Sequence, residues 1–75
     1  MKYFFTITRY KNGVLDYTTD DVNTYPTKET AIDQARYVAD YWKIIHNGKM
    51  EKTETGAVVR FRSETDRYET RYEVQ

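Results

Sequence analysis

The sequence predicts an α+β fold of order ββαββ, a four-stranded antiparallel sheet with one helix packed on one face, built as a single compact domain over residues 1–75. Three observations predict it. An aromatic and β-branched run leads into Asn12-Gly13, apolar residues recur at helical spacing from Lys28 to Asn47, and two closing runs alternate with period two.

Residues 3 to 10, Tyr-Phe-Phe-Thr-Ile-Thr-Arg-Tyr, are strand formers, and the Lys11-Asn12-Gly13 that follows is the strongest hairpin signal in the chain. A two-residue Asn-Gly loop would pair Ile7 with Thr18 and Phe5 with Asp20, setting polar residues beside core aromatics. A three-residue loop with a left-handed Gly13 and a bulge pairs Ile7 with Tyr17 and Phe5 with Thr19 instead. That register gathers Tyr3, Phe5, Ile7, Leu15 and Tyr17 on one face and is the one expected. The opposite face then carries Phe4, Thr6, Thr8 and Tyr10 against Val14, Asp16 and Thr18.

Pro26 sets an extended entry and Thr27 can accept from the free amides of a first turn, so a helix is expected to start near Lys28. Ala31, Ala35, Val38, Trp42 and Ile45 form its sheet-facing stripe, flanked by Ile32 and Ala39 on one side and by Tyr37, Tyr41 and Ile44 on the other. Asp33, Arg36 and Asp40 suit a solvated face as helical-spacing ion pairs. Asn47-Gly48 supplies the stop, with Gly48 left-handed. The alternative is a helix that ends near Tyr41, with residues 44–50 forming a second Asn-Gly hairpin. Lys49 to Thr55 reads as a polar connection. Ala57 to Arg62 and Arg67 to Val74 then alternate about a Ser63-Glu64-Thr65-Asp66 turn, with Ala57, Val59, Phe61, Tyr68, Tyr72 and Val74 inward and Arg60, Arg62, Arg67, Glu69, Arg71 and Glu73 outward.

Composition restricts function more than it identifies it. The 75 residues hold 12 Lys+Arg, 12 Asp+Glu and no Cys, which leaves no disulfide framework, thiolate zinc site or cysteine nucleophile and suggests a reducing, cytoplasmic setting. No uninterrupted apolar run exceeds three residues, so no membrane span is expected. The even charge, balanced in each half, weighs against a phosphate-driven nucleic-acid binder without excluding a local patch. His46, the one histidine, is expected to cap the helix end or lie on the surface. Asp16, Asp20 and Asp21 match no metal loop, and the isolated Gly13, Gly48 and Gly56 form no phosphate-binding loop; Gly56 reads as a bulge or a strand entry. No catalytic residue, metal or cofactor is implied.

What remains is an outer face rich in Arg and aromatic residues: Phe4, Tyr10, Arg60, Arg62, Arg67 and Arg71. Such residues dominate protein hot spots and also stack on single-stranded bases. Glu69 and Glu73 share that face, which favours a protein partner, able to use both signs of charge, over a phosphate backbone. The helix edge at Tyr37, Tyr41 and Trp42 offers a second anchor, with Trp42 itself expected in the core. The reading is therefore a non-enzymatic protein-binding module, with a single-stranded nucleic-acid binder and a purely structural homo-oligomeric subunit as alternatives; a homodimer would fit it too. In length and composition the chain is similar to small accessory proteins of bacteriophages and mobile elements, a resemblance that implies stoichiometric inhibition or adaptation of a host protein.

Overall fold

The computed structural model describes residues 2–75. Two strands, β1 (Phe5–Lys11) and β2 (Val14–Asp20), precede one helix, α1 (Lys28–Ile45), and three strands follow, β3 (Lys49–Thr53), β4 (Gly56–Arg62) and β5 (Arg67–Val74). All five join one antiparallel sheet of order β2-β1-β5-β4-β3, with α1 across one face. The fold class is the expected α+β, but the strand count is five rather than four. The strand missing from the expectation is β3, whose Lys-Met-Glu-Lys-Thr sequence carries one apolar residue. It lies at a sheet edge, where charge discourages further pairing and only Met50, opposite Val59, must be apolar.

The first hairpin closes through two residues, with positive φ at both Asn12 (53°) and Gly13 (83°), the conformation an Asn-Gly loop favours between twisted strands. Lys11 pairs with Val14 and Tyr10 with Leu15, and then the register shifts so that Arg9 meets Tyr17 and Ile7 meets Thr19. The extra residue is therefore absorbed inside β2, at Asp16, and not in the loop. This bulge keeps Tyr17 on the helix side, as expected, but sends Leu15 to the opposite face beside Tyr10.

Thr27 caps α1, its hydroxyl accepting from the Thr30 amide at 3.2 Å. At the other end the Asn47 amide donates to the Ile44 carbonyl (3.2 Å) and the Gly48 amide to the Lys43 carbonyl (2.8 Å), a Schellman closure. The helix thus runs to Ile45, and the second hairpin does not form. Asn47, with φ 52°, takes the left-handed position expected of Gly48. Glycine is needed at 48 for another reason: a Cβ there would lie 2.6 Å from the Arg60 carbonyl oxygen.

The α1 residues fully buried against Phe5, Ala57, Val59, Tyr72 and Val74 are Ala31, Ala35 and Ala39, and Ile32 and Val38 pack beside them partly buried. Small side chains let the helix axis approach the sheet, and their spacing of four rotates the expected stripe. Trp42 and Ile45 are left 39% and 55% exposed rather than in the core. His46 extends the alanine line and stacks flat on Phe61, with ring centroids 4.0 Å apart. Arg36 forms neither expected helical ion pair; it reaches back to the Gly56 carbonyl (3.0 Å) and the Thr53 carbonyl (2.7 Å), tying α1 to the β3–β4 turn. The β2–α1 crossing is closed by a Tyr3–Tyr25 bridge, and Tyr25 donates its hydroxyl to Asp21 at 2.8 Å. Burial, followed by that bond and the charge of Asp21, raises the Tyr25 pKa. Among the described residues no helix is long and apolar enough to cross a membrane.

Candidate functional site

Residues opposed across strands share a face, so the register assigns each side chain of the sheet. On the face away from α1, Arg62 stands opposite Arg67 at the turn end. The next row runs Leu15, Tyr10, Glu69, Arg60, Lys49, and the one after it Thr18, Thr8, Arg71, Val58, Glu51. The last row ends the face with Asp20, Thr6 and Glu73. Positive charge therefore gathers at the turn end and negative charge at the other.

Most of that charge is already paired. Arg60 bonds Glu51 and Glu69, each at 3.1 Å, while Arg71 bonds Glu69 at 3.1 Å and Glu73 at 3.5 Å. Thr53 and Thr55 donate to the same Glu73. The hydrogen bonds to Glu51 and Glu69 raise the Arg60 pKa; for Arg71, burial pulls the pKa down but the bonds and charges of Glu69 and Glu73 raise it on balance. This ladder roofs Val58, only 2% exposed although it points away from the core, because arginine stems cover apolar surface while their heads stay wet. Arg62 and Arg67 have no carboxylate partner among the described residues.

Of the six residues expected to bind a partner, Tyr10, Arg60, Arg62, Arg67 and Arg71 line one concavity of about 1060 Å³ at the turn end. Phe4 does not join them. It precedes β1, six residues from Tyr10, a separation of about 20 Å along an extended chain.

The helix side presents a different surface. In its second half α1 is apolar nearly all round: Tyr37, Tyr41, Ile44 and Ile45 are exposed off the alanine line, and Trp42 lies toward Ile7 and Tyr17. Only the flank of Arg36, Asp40 and Lys43 is polar, with Lys43 and Asp40 paired at 3.3 Å. The helix covers β4 and β5 and leaves β2 bare, with all seven β2 residues exposed. Between Trp42 and Tyr17 lies a hollow of about 380 Å³ lined by Ile7, Arg9, Tyr17, Trp42, His46 and Tyr72. Sequence reasoning marked Tyr37, Tyr41 and Trp42 as a second anchor but passed over Arg9. The available signal was register: Arg9 continues the inward series Phe5, Ile7, and a charge at an inward position is unusual.

Burial, with the nearby Tyr17 adding to it and Arg9 opposing it, pushes the Tyr72 hydroxyl up to about 12. The folded protein holds the neutral phenol, so the unfolded chain loses its proton first, near pH 10. The contribution of Tyr72 to stability is thus complete below pH 10 and falls as pH rises toward about 12, by about 2 to 3 kcal/mol. Urea unfolding at fixed pH should show this loss in the wild type and a flatter alkaline slope in Tyr72→Phe. Equal slopes would assign the effect to other tyrosines.

Among the described residues no three His, Asp or Glu side chains are placed to hold a metal ion. Comparisons of the chain with protein-family models, with curated proteins and with solved structures find no match.

Proposed function

We propose that the chain is a non-enzymatic protein-binding module that acts by stoichiometric contact, as an inhibitor or adaptor of a host protein would. One observation carries this reading: the apolar circumference of the second half of α1. A helix apolar on nearly all sides belongs inside a protein, and here Tyr37 and Ile44 are 69% and 68% exposed. Continuity of that surface with Trp42, Tyr17 and the bare edge strand β2 supports a partner seated across helix and strand, where apolar burial and main-chain pairing can act together.

The test is affinity capture from a lysate of the source, followed by native mass spectrometry, with wild type and a Tyr41→Asp/Ile44→Asp variant whose fold is checked by its amide spectrum. The wild type is expected to return one protein in fixed ratio and the variant to lose it, a fall of at least about a hundredfold for two exposed anchors turned to charge. Equal capture by both chains would overturn the helix-centred surface. A bare closed oligomer with nothing captured would favour the structural-subunit reading.

The opposed, unpaired Arg62 and Arg67 beside Tyr10 support a second reading, a single-stranded nucleic-acid binder on the opposite face. Capture that is sensitive to nuclease and lost in Arg62→Glu/Arg67→Glu would put that reading first.

A further inference from the structure

Arg9 is held unlike any other cation among the described residues. Its guanidinium carbon lies 5.4 Å from the Tyr17 ring centroid, 5.5 Å from that of Phe61 and 5.4 Å from that of Tyr68. Its Nε donates to the hydroxyl of the fully buried Thr70 at 3.4 Å. No carboxylate comes within ion-pair distance among the described residues, and its two Nη groups donate to no protein acceptor. They are not sealed in either, since among the described residues no buried side-chain nitrogen or oxygen lacks a partner. Arg9 is also one of the residues that line the hollow, with Ile7, Tyr17, Trp42, His46 and Tyr72.

This is a fixed cation with unused paired donors beside an aromatic-walled hollow sized for one side chain. A planar fork of this kind matches a carboxylate in bidentate fashion. The walls ask that the carboxylate be carried next to an apolar group. In an extended segment adjacent residues point to opposite sides, so an acidic residue and its apolar neighbour cannot both enter. A C-terminal residue offers its carboxylate and its side chain from the same carbon.

Resting on the protein-binding reading above, we propose that the hollow is an anchor pocket for the C-terminal apolar or aromatic residue of a partner chain. The terminal carboxylate sits on the Arg9 fork and the side chain lies between Tyr17 and Trp42. The segment before it is then close to the free edge of β2.

Trp42 is the only tryptophan and serves as the reporter. The isolated chain is titrated with N-acetyl-phenylalanine, with N-acetyl-phenylalaninamide, with N-acetyl-Glu-Phe-amide and with adenosine monophosphate, following Trp42 fluorescence and side-chain NMR shifts of Arg9 and His46. The free acid is expected to bind at least about tenfold more tightly than its amide, with that preference lost in Arg9→Gln. Tyr17→Ala, on an exposed strand, should weaken the acid without removing the preference for it over the amide, and keeps the test open if the Arg9 variant misfolds. Equal response to acid and amide, or none near Trp42, would overturn the pocket. A stronger response to the glutamyl probe would replace the chain terminus with an acidic side chain, and one to the nucleotide alone would replace it with a nucleotide site. Because these probes need no partner, their failure leaves the capture experiment standing, and failed capture leaves the titration interpretable.

Discussion

Gly56→Ala is expected to destabilise the chain by at least about 3 kcal/mol, enough to leave a substantial unfolded population in a domain of this size. A Cβ at position 56 would fall inside the van der Waals envelope of the Tyr72 carbonyl oxygen and close to the Glu73 backbone. These are ladder atoms, so no side chain can swing aside. Relief would require β4 and β5 to part where Gly56 opposes both Thr53 and Glu73. The same point anchors Arg36, which bonds the Gly56 carbonyl, and adjoins the Val74 amide bonded to the Thr55 carbonyl at 2.9 Å. Gly13→Ala provides the contrast. Nothing lies within 4 Å of a Cβ there, and the cost is only that of holding alanine at φ 83°, about 1 to 2 kcal/mol. Urea midpoints of the two variants should differ clearly, with Gly56→Ala the lower. A Gly56→Ala protein within about 1 kcal/mol of wild type would mean that the two strands do not approach as closely as described.

The elements whose local chemistry and tertiary role agree were legible in the sequence: the Asn-Gly hairpin, a helix opened by Thr27, and the alternating pair β4 and β5. Where they diverge, the reading failed. A strand at the edge needs one inward apolar residue and gains from charge elsewhere, so Lys49 to Thr53 looked like a connection. Trp42 was assigned to the core because large apolar residues usually are, whereas three alanines set the distance between helix and sheet and the tryptophan became a wall. The bulge at Asp16 is invisible to a rule that places the irregular residue in the turn, and Leu15 changed faces as a result. In the candidate site the arginines of the outer face were foreseen as a group, and Tyr10 with them. Outward pairing of Arg with Glu69 and Glu73 was legible too, and the structure shows it; the bond of Arg60 to Glu51 was not, because it depends on a strand that had not been assigned. Arg9 carried its signal in register alone.

Phe5→Ala is expected to cost about 3 to 5 kcal/mol, the range for emptying a buried aromatic site, against a total of about 4 to 11 kcal/mol for a chain of this length. Phe5 is 1% exposed and is, with Val59 and Thr70, among the largest side chains fully enclosed. It opposes Val74 and stacks on Tyr25, with ring centroids 6.4 Å apart. Tyr25 in turn holds the β2–α1 crossing through its paired bonds to Tyr3, at 2.7 and 2.8 Å. The cavity would open under a backbone bridge that cannot collapse without giving up these bonds. Phe5→Leu, which keeps most of the volume, should lose less than about 2 kcal/mol. Urea unfolding followed by tyrosine absorbance, with amide spectra to confirm the native fold, separates the two variants. A loss under about 1 kcal/mol in Phe5→Ala would show that the crossing does not pack on the sheet. The location of this cost bears on function. Phe5 and Val74 close the sheet at the end opposite Arg9, Tyr68 and Phe61. Val59 and Thr70, equally enclosed, lie on Arg9's own row, and Thr70 accepts from Arg9, so on the proposed binding reading the half-covered Trp42 and the anion-free Arg9 stand over a packed floor.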